Sequence, residues 1–487
     1  MTGLELVPGH NCMGVDTATR LSVIVDAENY FRHARSAMLK ARQRISLIGW
    51  DFDTRIGLHE TESDAAPTEL GRFILWLVEQ SPDLEIFILQ WDFGIFKTIK
   101  RGTTLLRVVQ WALHPRIHVK FDNVHPVGAS HHQKIMLVDD GLAFVGGIDM
   151  TGDRWDTREH RHDDERRRRP FTRRRYKPWH DVTTASTGPI VDCIARLVRE
   201  RWSLADGKPE MGQLECKQTH WPDELPVQFE EVEVGIARSA PELDKRPAVL
   251  EAERLWLDQI AVARKFLYIE SQYFASRAIV SALAKRLVEA DGPEIVIINP
   301  ESAQGWLEPV AMDTARARLY AWLKRADRHD RFRLFHPYDS AGDPIYAHAK
   351  TLVADDTILK VGSSNINNRS LRLDTECDLV LVAPEDDLAI REHIAWIRND
   401  LIAEHLVTTP DAVGASLAKT GSLIKTIEDL TPKTGRNLRP YQPPELNDLE
   451  QWLAENEVLD PEGADEMFEN IAQRGLARGF LRRFVRD

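Results

Sequence analysis

The residues most able to do chemistry in this chain occur as a matched pair. His132-Gln133-Lys134 is followed by Asp139, and His348-Ala349-Lys350 by Asp355, about 216 residues later. Each copy runs into a Gly-bearing turn: Phe144-Val145-Gly146-Gly147-Ile148-Asp149 in the first, Lys360-Val361-Gly362-Ser363-Ser364-Asn365 in the second. On an extended chain the i and i+2 side chains share a face. One imidazole and one ammonium can then meet the same phosphate. A nucleophile or proton-transfer group beside a fixed cation is what splitting a phosphodiester without a metal requires. Lysine is not a usual metal ligand, and no His/Asp/Glu cluster along the chain supplies a closed shell. No metal or other cofactor is therefore expected. Asp139 and Asp355 complete the two catalytic motifs. Five residues beyond each Lys, they fall past the strand and near a turn, a place suited to bracing the loop more than to touching substrate.

A reactive imidazole needs a partner for its other ring nitrogen. Each half offers an acid: Asp181 in Trp179-His180-Asp181-Val182-Thr183, and Glu376 in Asp374-Thr375-Glu376-Cys377-Asp378. Matched half to half, Asp181 is expected to orient His132, and Glu376 to orient His348.

The elements that must carry these groups repeat as well. Ala27, Tyr30, Phe31, Ala34, Met38 and Ala41 recur at helical spacing, before a strand-like Ile45 to Trp50. Ala252, Leu255, Trp256, Ile260 and Ala263 repeat the stripe before Leu267 to Glu270. Strand-like runs at Leu84 to Leu89 and Ile295 to Ile298 follow. Others, at Arg116 to Phe121 and Arg331 to Phe335, precede each His motif. Helices alternating with apolar strands predict an α/β fold in two similar halves. The expected division is 1–210 and 227–410, joined through the Pro- and Gly-bearing stretch Asp206 to Pro226, with an extension over 411–487. That extension carries an acidic helix around Leu449 to Glu457. It ends in a basic segment with Leu476, Phe480 and Phe484, which reads either as a membrane-surface helix or as a helix docked on its own domain.

At 487 residues, with a net charge of -13, the whole molecule does not look like a nucleic-acid binder. The longest apolar runs are strand-length, and the start lacks a basic, then apolar, leader. Four widely spaced cysteines, Cys12, Cys193, Cys216 and Cys377, suggest neither a zinc site nor a disulfide framework. A cytoplasmic or peripheral membrane location is the expectation.

Over roughly residues 15 to 410 the sequence resembles the phospholipase D superfamily. Beyond the two motifs, the likeness rests on Gly146-Gly147-Ile148-Asp149, Arg154-Trp155-Asp156, Pro178 to Val182, Ile269-Glu270-Ser271-Gln272-Tyr273-Phe274 and Gly362 to Ser370. The resemblance implies two α/β/α/β/α sandwich domains related by pseudo-two-fold symmetry, with one active site at their junction. It also implies a two-step reaction through a phosphohistidine. His132 would be the nucleophile and His348 the acid/base, with Lys134 and Lys350 neutralising the phosphoryl oxygens. Asn365 and Ser363 would bind substrate. The first half has Gly147 and Asp149 where Ser363 and Asn365 stand, which makes Asp149 a poor phosphate contact. The implied substrate is a phosphatidylcholine-like glycerophospholipid at a membrane surface, with transfer to an alcohol as a possible companion reaction. Neither nucleic acid nor an obligate protein partner is expected. The competing readings are a cardiolipin synthase-type phosphatidyltransferase, a nuclease or general phosphodiesterase, and a non-catalytic lipid-binding scaffold.

One stretch departs from the repeat. An insertion from Thr157 to Pro178 carries Arg166 to Arg169 and Arg173 to Arg175 close in sequence to Asp181. It reads either as a holder of anionic headgroups or as a disordered loop balanced by Asp163, Asp164 and Glu165.

Overall fold

The computed structural model describes residues 3–58, 65–91, 103–126, 128–170, 172–243, 246–303 and 312–444. The acidic helix and basic segment expected near the C-terminus lie outside them.

The first half runs β1 (Gly14–Val25), α1 (Ala27–Lys40), β2 (Arg44–Gly49), α2 (Leu70–Gln80), β3 (Glu85–Trp91), α3 (Thr103–Leu113), β4 (Ile117–Asp122), β5 (Ile135–Val138), β6 (Leu142–Gly146), β7 (Trp179–His180), β8 (Val182–Thr187) and α4 (Ile190–Leu204). The second half repeats this order as β9 (Phe229–Ala240), a short β10 (Val249–Leu250), α5 (Glu251–Val262), β11 (Phe266–Glu270), α6 (Arg277–Val288), β12 (Glu294–Ile298), α7 (Thr314–Ala326), β13 (Phe332–Tyr338), β14 (Tyr346–Ala347), β15 (Thr351–Ala354), β16 (Ile358–Gly362), β17 (Glu376–Val382) and α8 (Leu388–Leu406). A single π-turn, Arg369–Leu373, precedes β17. The stripes and apolar runs read from the sequence coincide with α1, α5 and the central strands. Their physical cause is shared: each of these strands is covered on both faces, so almost every residue must be apolar.

All main strands, together with β18 (Asn437–Pro440) from the chain beyond the second half, join one sheet, in the order β18-β13-β12-β11-β15-β16-β17-β9-β1-β8-β6-β5-β2-β3-β4. Read outward from the central β9–β1 pair, the two sides match strand for strand as far as β13 and β4, and β18 is added beyond β13. The seam between them is the antiparallel β1/β9 pair, from Gly14 opposite Ile236 to Leu21 opposite Phe229. Within each half the β-α-β units (β2-β3-β4, β11-β12-β13) pair in parallel. Alternation along β5 shows the layering. Ile135 and Leu137 pack toward a core that continues across both halves under α4 and α8, whereas Met136 and Val138 face the core beneath α1 and α2. The second half buries its own counterpart beneath α5 and α6.

The chain beyond α8 adds α9 (Pro410–Thr420), α10 (Leu423–Leu430) and β18 (Asn437–Pro440). β18 pairs antiparallel with β13 and so covers that edge of the sheet.

The hairpins β5–β6 and β15–β16 are built alike. Asp139 and Asp140 have φ of 50° and 48°, and Asp355 and Asp356 have 52° and 58°, a left-handed turn that Asp tolerates. The carboxylate of Asp139 accepts from the backbone N–H groups of Arg42, Gln43 and Arg44 at 2.8, 2.8 and 2.7 Å. Asp355 does the same for Arg264, Lys265 and Phe266 at 2.5, 2.6 and 2.8 Å. Both acids of the repeated motif therefore tie the far end of the hairpin to the start of the neighbouring strand. Their inclusion among the catalytic groups is corrected accordingly: they hold the strand that carries the His and Lys. Asp139→Ala leaves three N–H groups without this acceptor, that of Arg44 fully buried and those of Arg42 and Gln43 partly so. It should lower the unfolding free energy by about 2–4 kcal/mol, read from urea denaturation. An unchanged midpoint would contradict the bracing role.

Candidate active site

His132 and Lys134 lie on the extended segment entering β5, and His348 and Lys350 on the segment entering β15. Both segments end where the parallel strands β2 and β11 finish, the usual edge for sites in α/β sheets. The two motifs meet across the seam: the cations lowering the pKa of His132 include Lys350, and those acting on His348 include Lys134.

The orienting acids are exchanged between halves. His132 Nδ1 lies 3.0 Å from both carboxylate oxygens of Glu376, and His348 Nδ1 lies 2.6 Å from Asp181 Oδ2. The half-to-half matching expected from the sequence is thus wrong in its pairing, though right in its residues. The backbone explains the crossing. His132 N donates to Thr375 O and Thr375 N to Ser130 O, each at 3.0 Å, which places Glu376 beside His132. In the mirror arrangement β14 pairs in parallel with β7, and His348 N donates to His180 O at 2.8 Å, which places Asp181 beside His348. Neither half holds a complete His–acid pair.

The glycines of the two turns have a steric reason. A Cβ on Gly147 would collide with the Asp181 carboxylate, and one on Gly362 with Asp378. Ser363 stands where the first half has Gly147, and its Oγ donates to Glu376 Oε2 at 2.5 Å while its N–H reaches Asp378. The Ser363 hydroxyl, expected from the sequence to bind substrate, is thus engaged with the acid Glu376. Asn365, the other residue expected to bind substrate, lies beside Gln272. Its Nδ2 reaches Gln272 Oε1 at 3.5 Å, and its buried Oδ1 has no protein partner. In the first half Asp149 forms an ion pair with Lys134 at 3.1 Å, a contact that keeps this carboxylate engaged with protein.

Lys134 Nζ donates to His132 O at 2.8 Å, and Lys350 Nζ donates to His348 O and, at 3.4 Å, to Gln272 Oε1. Gln272 Nε2 donates to Tyr346 OH at 3.0 Å. Gln272 and Arg154 appear in the sequence motifs without an assigned role. Their pocket positions depend on contacts between distant segments, which motif spacing does not encode. Arg154 lies over the Trp179 ring at 4.1 Å, and Trp179 stacks on Tyr346 at 4.6 Å beside His348 at 4.9 Å.

Burial and the neighbouring ammonium groups hold both imidazoles well below their ordinary pKa. Burial also pushes Glu376 and Asp181 up, against the pull of Ser363 and Lys134 on the first and of Lys350 on the second. No described residue hydrogen-bonds Nε2 of either ring, which leaves that atom for the reacting group. Burial lowers Lys350 to about 7, with Lys134 adding to the drop and Asp181 opposing it.

Beneath the pocket lies a buried ionic network that sequence spacing gave no sign of. His180 Nδ1 lies 2.7 Å from Glu404 and its Nε2 2.8 Å from Glu270, and His160 bridges Glu404 and Asp156 at 3.0 Å each. Asp26, His160, His180 and Glu404 bring one ligand-type atom apiece within 4.8 Å of one another, a clustering the sequence reading did not foresee. These groups are largely committed to each other. Burial alone would lower both histidines, but the carboxylates overcome it, raising His160 to about 9 and His180 well above its usual value. The network fixes the strand bearing Asp181: Asp26 N donates to Asp181 O at 2.8 Å, and Asp181 N to Asp26 Oδ1 at 3.2 Å. Asp26 itself has φ 65° and ψ 155°, a conformation that is costly for a residue with a Cβ and is held here from both sides.

Comparison with known proteins agrees with this architecture. A family model described as "Phospholipase D" matches residues 37–282, and one described as "Cardiolipin synthase, PLD-like domain" matches residues 256–399. The chain belongs to the phospholipase D superfamily. It is 23% identical over 465 residues to phospholipase D A of Dictyostelium discoideum, covering 80% of this chain and 34% of that protein. It is 24% identical over 500 residues to phospholipase D1 of Saccharomyces cerevisiae, covering 82% and 29%. The chain thus spans about a third of the length of these curated relatives. A solved phosphatidylserine synthase from Haemophilus influenzae superposes with a TM-score of 0.52 at 13% identity, covering 85% of this chain and 95% of that one, and shares the fold.

If the crossed acids orient the imidazoles, Glu376→Gln and Asp181→Asn should each lower turnover of a phosphodiester by at least about 100-fold while leaving thermal unfolding nearly unchanged. Wild-type turnover in either folded variant would rule the pairing out.

Proposed function

We propose that this protein is a phospholipase D-type phosphodiesterase that cleaves the distal phosphodiester of glycerophospholipids, giving phosphatidate and a free headgroup. The observation that carries this reading is the pair of buried imidazoles, each held at Nδ1 by an acid of the other half and each flanked by a lysine. In the first step the lone pair on His132 Nε2 attacks phosphorus. The P–O bond to the headgroup breaks, and His348 gives its proton to the leaving oxygen, forming a phosphatidyl-histidine. In the second, His348 takes a proton from water as its oxygen attacks phosphorus, and the P–N bond breaks. An alcohol in place of water gives transfer. The second-half family description, which names a synthase, makes phosphatidyl transfer the companion activity to test. Lys134, Lys350 and Asn365 stabilise the charge that grows on the phosphoryl oxygens. The membrane surface supplies the substrate; no helix among the described residues is long and apolar enough to cross a bilayer.

Headgroup release from mixed phospholipid vesicles with added ethanol tests the reading. Phosphatidate together with phosphatidylethanol is the expected outcome, and cleavage of single-stranded DNA with no lipid product would replace it by a nuclease. His132→Ala and His348→Ala should each abolish turnover, and Lys134→Ala or Lys350→Ala should cost at least about 2 kcal/mol in the transition state. Activity surviving in both histidine variants would sink the mechanism.

The acidity of Lys350 predicts a pH signature. Its ammonium must be charged to meet phosphate, so in the free enzyme kcat/KM should fall as pH rises through about 7. A bound phosphate anion raises that pKa, so kcat should persist to higher pH. Parallel pH profiles for the two parameters would contradict the assignment.

A further inference from the structure

The insertion is ordered, and its arginines answer its own carboxylates. Arg167 is buried against Asp156, while Arg166, Arg169 and Arg175 pair with Asp164, Asp153 and Glu165. The disordered-loop reading is therefore set aside. What this hairpin delivers to the interior is His160. Its ring meets Asp26 from the β1–α1 junction, His180 from β7 and Glu404 from α8, and all four side chains are buried.

The inner atoms of the four converge. Glu404 Oε1 lies 3.0 Å from His160 Nε2 and 2.7 Å from His180 Nδ1. The Asp26 carboxylate lies 3.8 Å from the first nitrogen, through Oδ2, and 3.4 Å from the second, through Oδ1. Four donors placed tetrahedrally about a zinc ion at about 2.0–2.1 Å stand about 3.3 Å apart. The observed separations bracket that edge, so small shifts close the shell. Both outer nitrogens are held by further carboxylates: His160 Nδ1 lies 3.0 Å from Asp156 Oδ2, and His180 Nε2 lies 2.8 Å from Glu270 Oε2. Metal-bound imidazoles take this support, because it fixes which ring nitrogen turns its lone pair inward.

Charge and hydrogen bonding also point to a cation. Asp156 is answered by Arg167, and Asp400 and Glu404 by Arg158, with Arg436 close enough to act on Glu404. Asp26 and Glu270 ion-pair only with histidines among the described residues. Two negative charges are left for protonated imidazoles or for one divalent cation to meet. Asp26 Oδ2 separates the two cases: it is buried, faces His160 and takes no hydrogen bond. A cage held by protons alone leaves that acceptor unmet, and a metal ion fills it.

We propose that Asp26, His160, His180 and Glu404 bind one Zn2+ in a closed, four-coordinate structural site. Two imidazoles with two carboxylates suit zinc, whereas calcium and magnesium take six or more ligands, mostly oxygen. With Oδ2 on the ion, Asp26 Oδ1 still accepts from Asp181 N at 3.2 Å. The ion therefore braces the acid that holds His348 and stays clear of the phosphate.

The zinc content of the full chain tests this without any turnover. After growth with added zinc, purification and desalting, elemental analysis should find one zinc per wild-type chain. Asp26→Asn and Glu404→Gln, which keep the size of each side chain, should each lower it at least about tenfold. His162→Gln, in the exposed cluster of His162, Asp339 and Asp343, should keep the metal, and so should His132→Ala/His348→Ala. Should both ligand variants fail to fold, X-ray absorption of the wild-type zinc protein decides: two imidazole nitrogens and two oxygens are expected at about 2.0–2.1 Å. A wild type without zinc overturns the proposal. So does zinc retained in either folded ligand variant, zinc lost from His162→Gln or from His132→Ala/His348→Ala, or a shell containing sulfur or six oxygens.

Discussion

The geometry of the candidate site depends on a reciprocal clasp across the seam of one sheet. The segment bearing His132 is hydrogen-bonded to the backbone that leads into Glu376, and the segment bearing His348 to the backbone at His180 that leads into Asp181. Each clasp is a short stretch of parallel pairing that aligns a histidine with an acid from the other half. Because the Nδ1 contacts are 3.0 and 2.6 Å and the acids are buried, small displacements of one half against the other would cost both pairs at once. The antiparallel β1/β9 pair and the core shared under α4 and α8 resist that displacement.

The ionic layer beneath the clasp bears on the same geometry. His180 occupies the backbone position next to Asp181 and is caught between Glu270 and Glu404. Glu270 lies at the end of β11, two residues before Gln272, and Glu404 comes from α8. Three separate elements are thereby held at fixed distances under the pocket. Buried charges of this kind contribute little net stability compared with apolar packing, and their removal one at a time is costly. Their evident structural consequence here is register, because a hydrogen-bonded cage accepts only one arrangement of its donors and acceptors.

The pseudo-symmetry is incomplete where the chemistry is. Ser363 and Asn365 in the second half face Gly147 and Asp149 in the first, and only the first half carries the basic insertion. Lys134 is ion-paired directly with Asp149, whereas Lys350 hydrogen-bonds the neutral Gln272 and meets Asp181 only through its field. The two matched histidines are thereby placed in unequal electrostatic surroundings.

The sequence by itself determined the repeated order of helices and buried strands, and it named the His, Lys and acid residues that the structure brings together. Those features are written in local periodicity and in short spacings, and a strand covered on both faces leaves no freedom in its composition. Even the bracing role of Asp139 and Asp355 was legible, since five residues beyond the Lys carries the chain past a short strand. Only the tertiary structure decided which acid serves which histidine, because the partners are separated by 244 residues in one pair and 167 in the other. The roles of Ser363 and Gln272, the buried His160–His180 network and the built form of the arginine hairpin were hidden for the same reason. A hydrogen bond is chosen by the approach of two surfaces, and that approach exists only once the two halves have closed on their common seam.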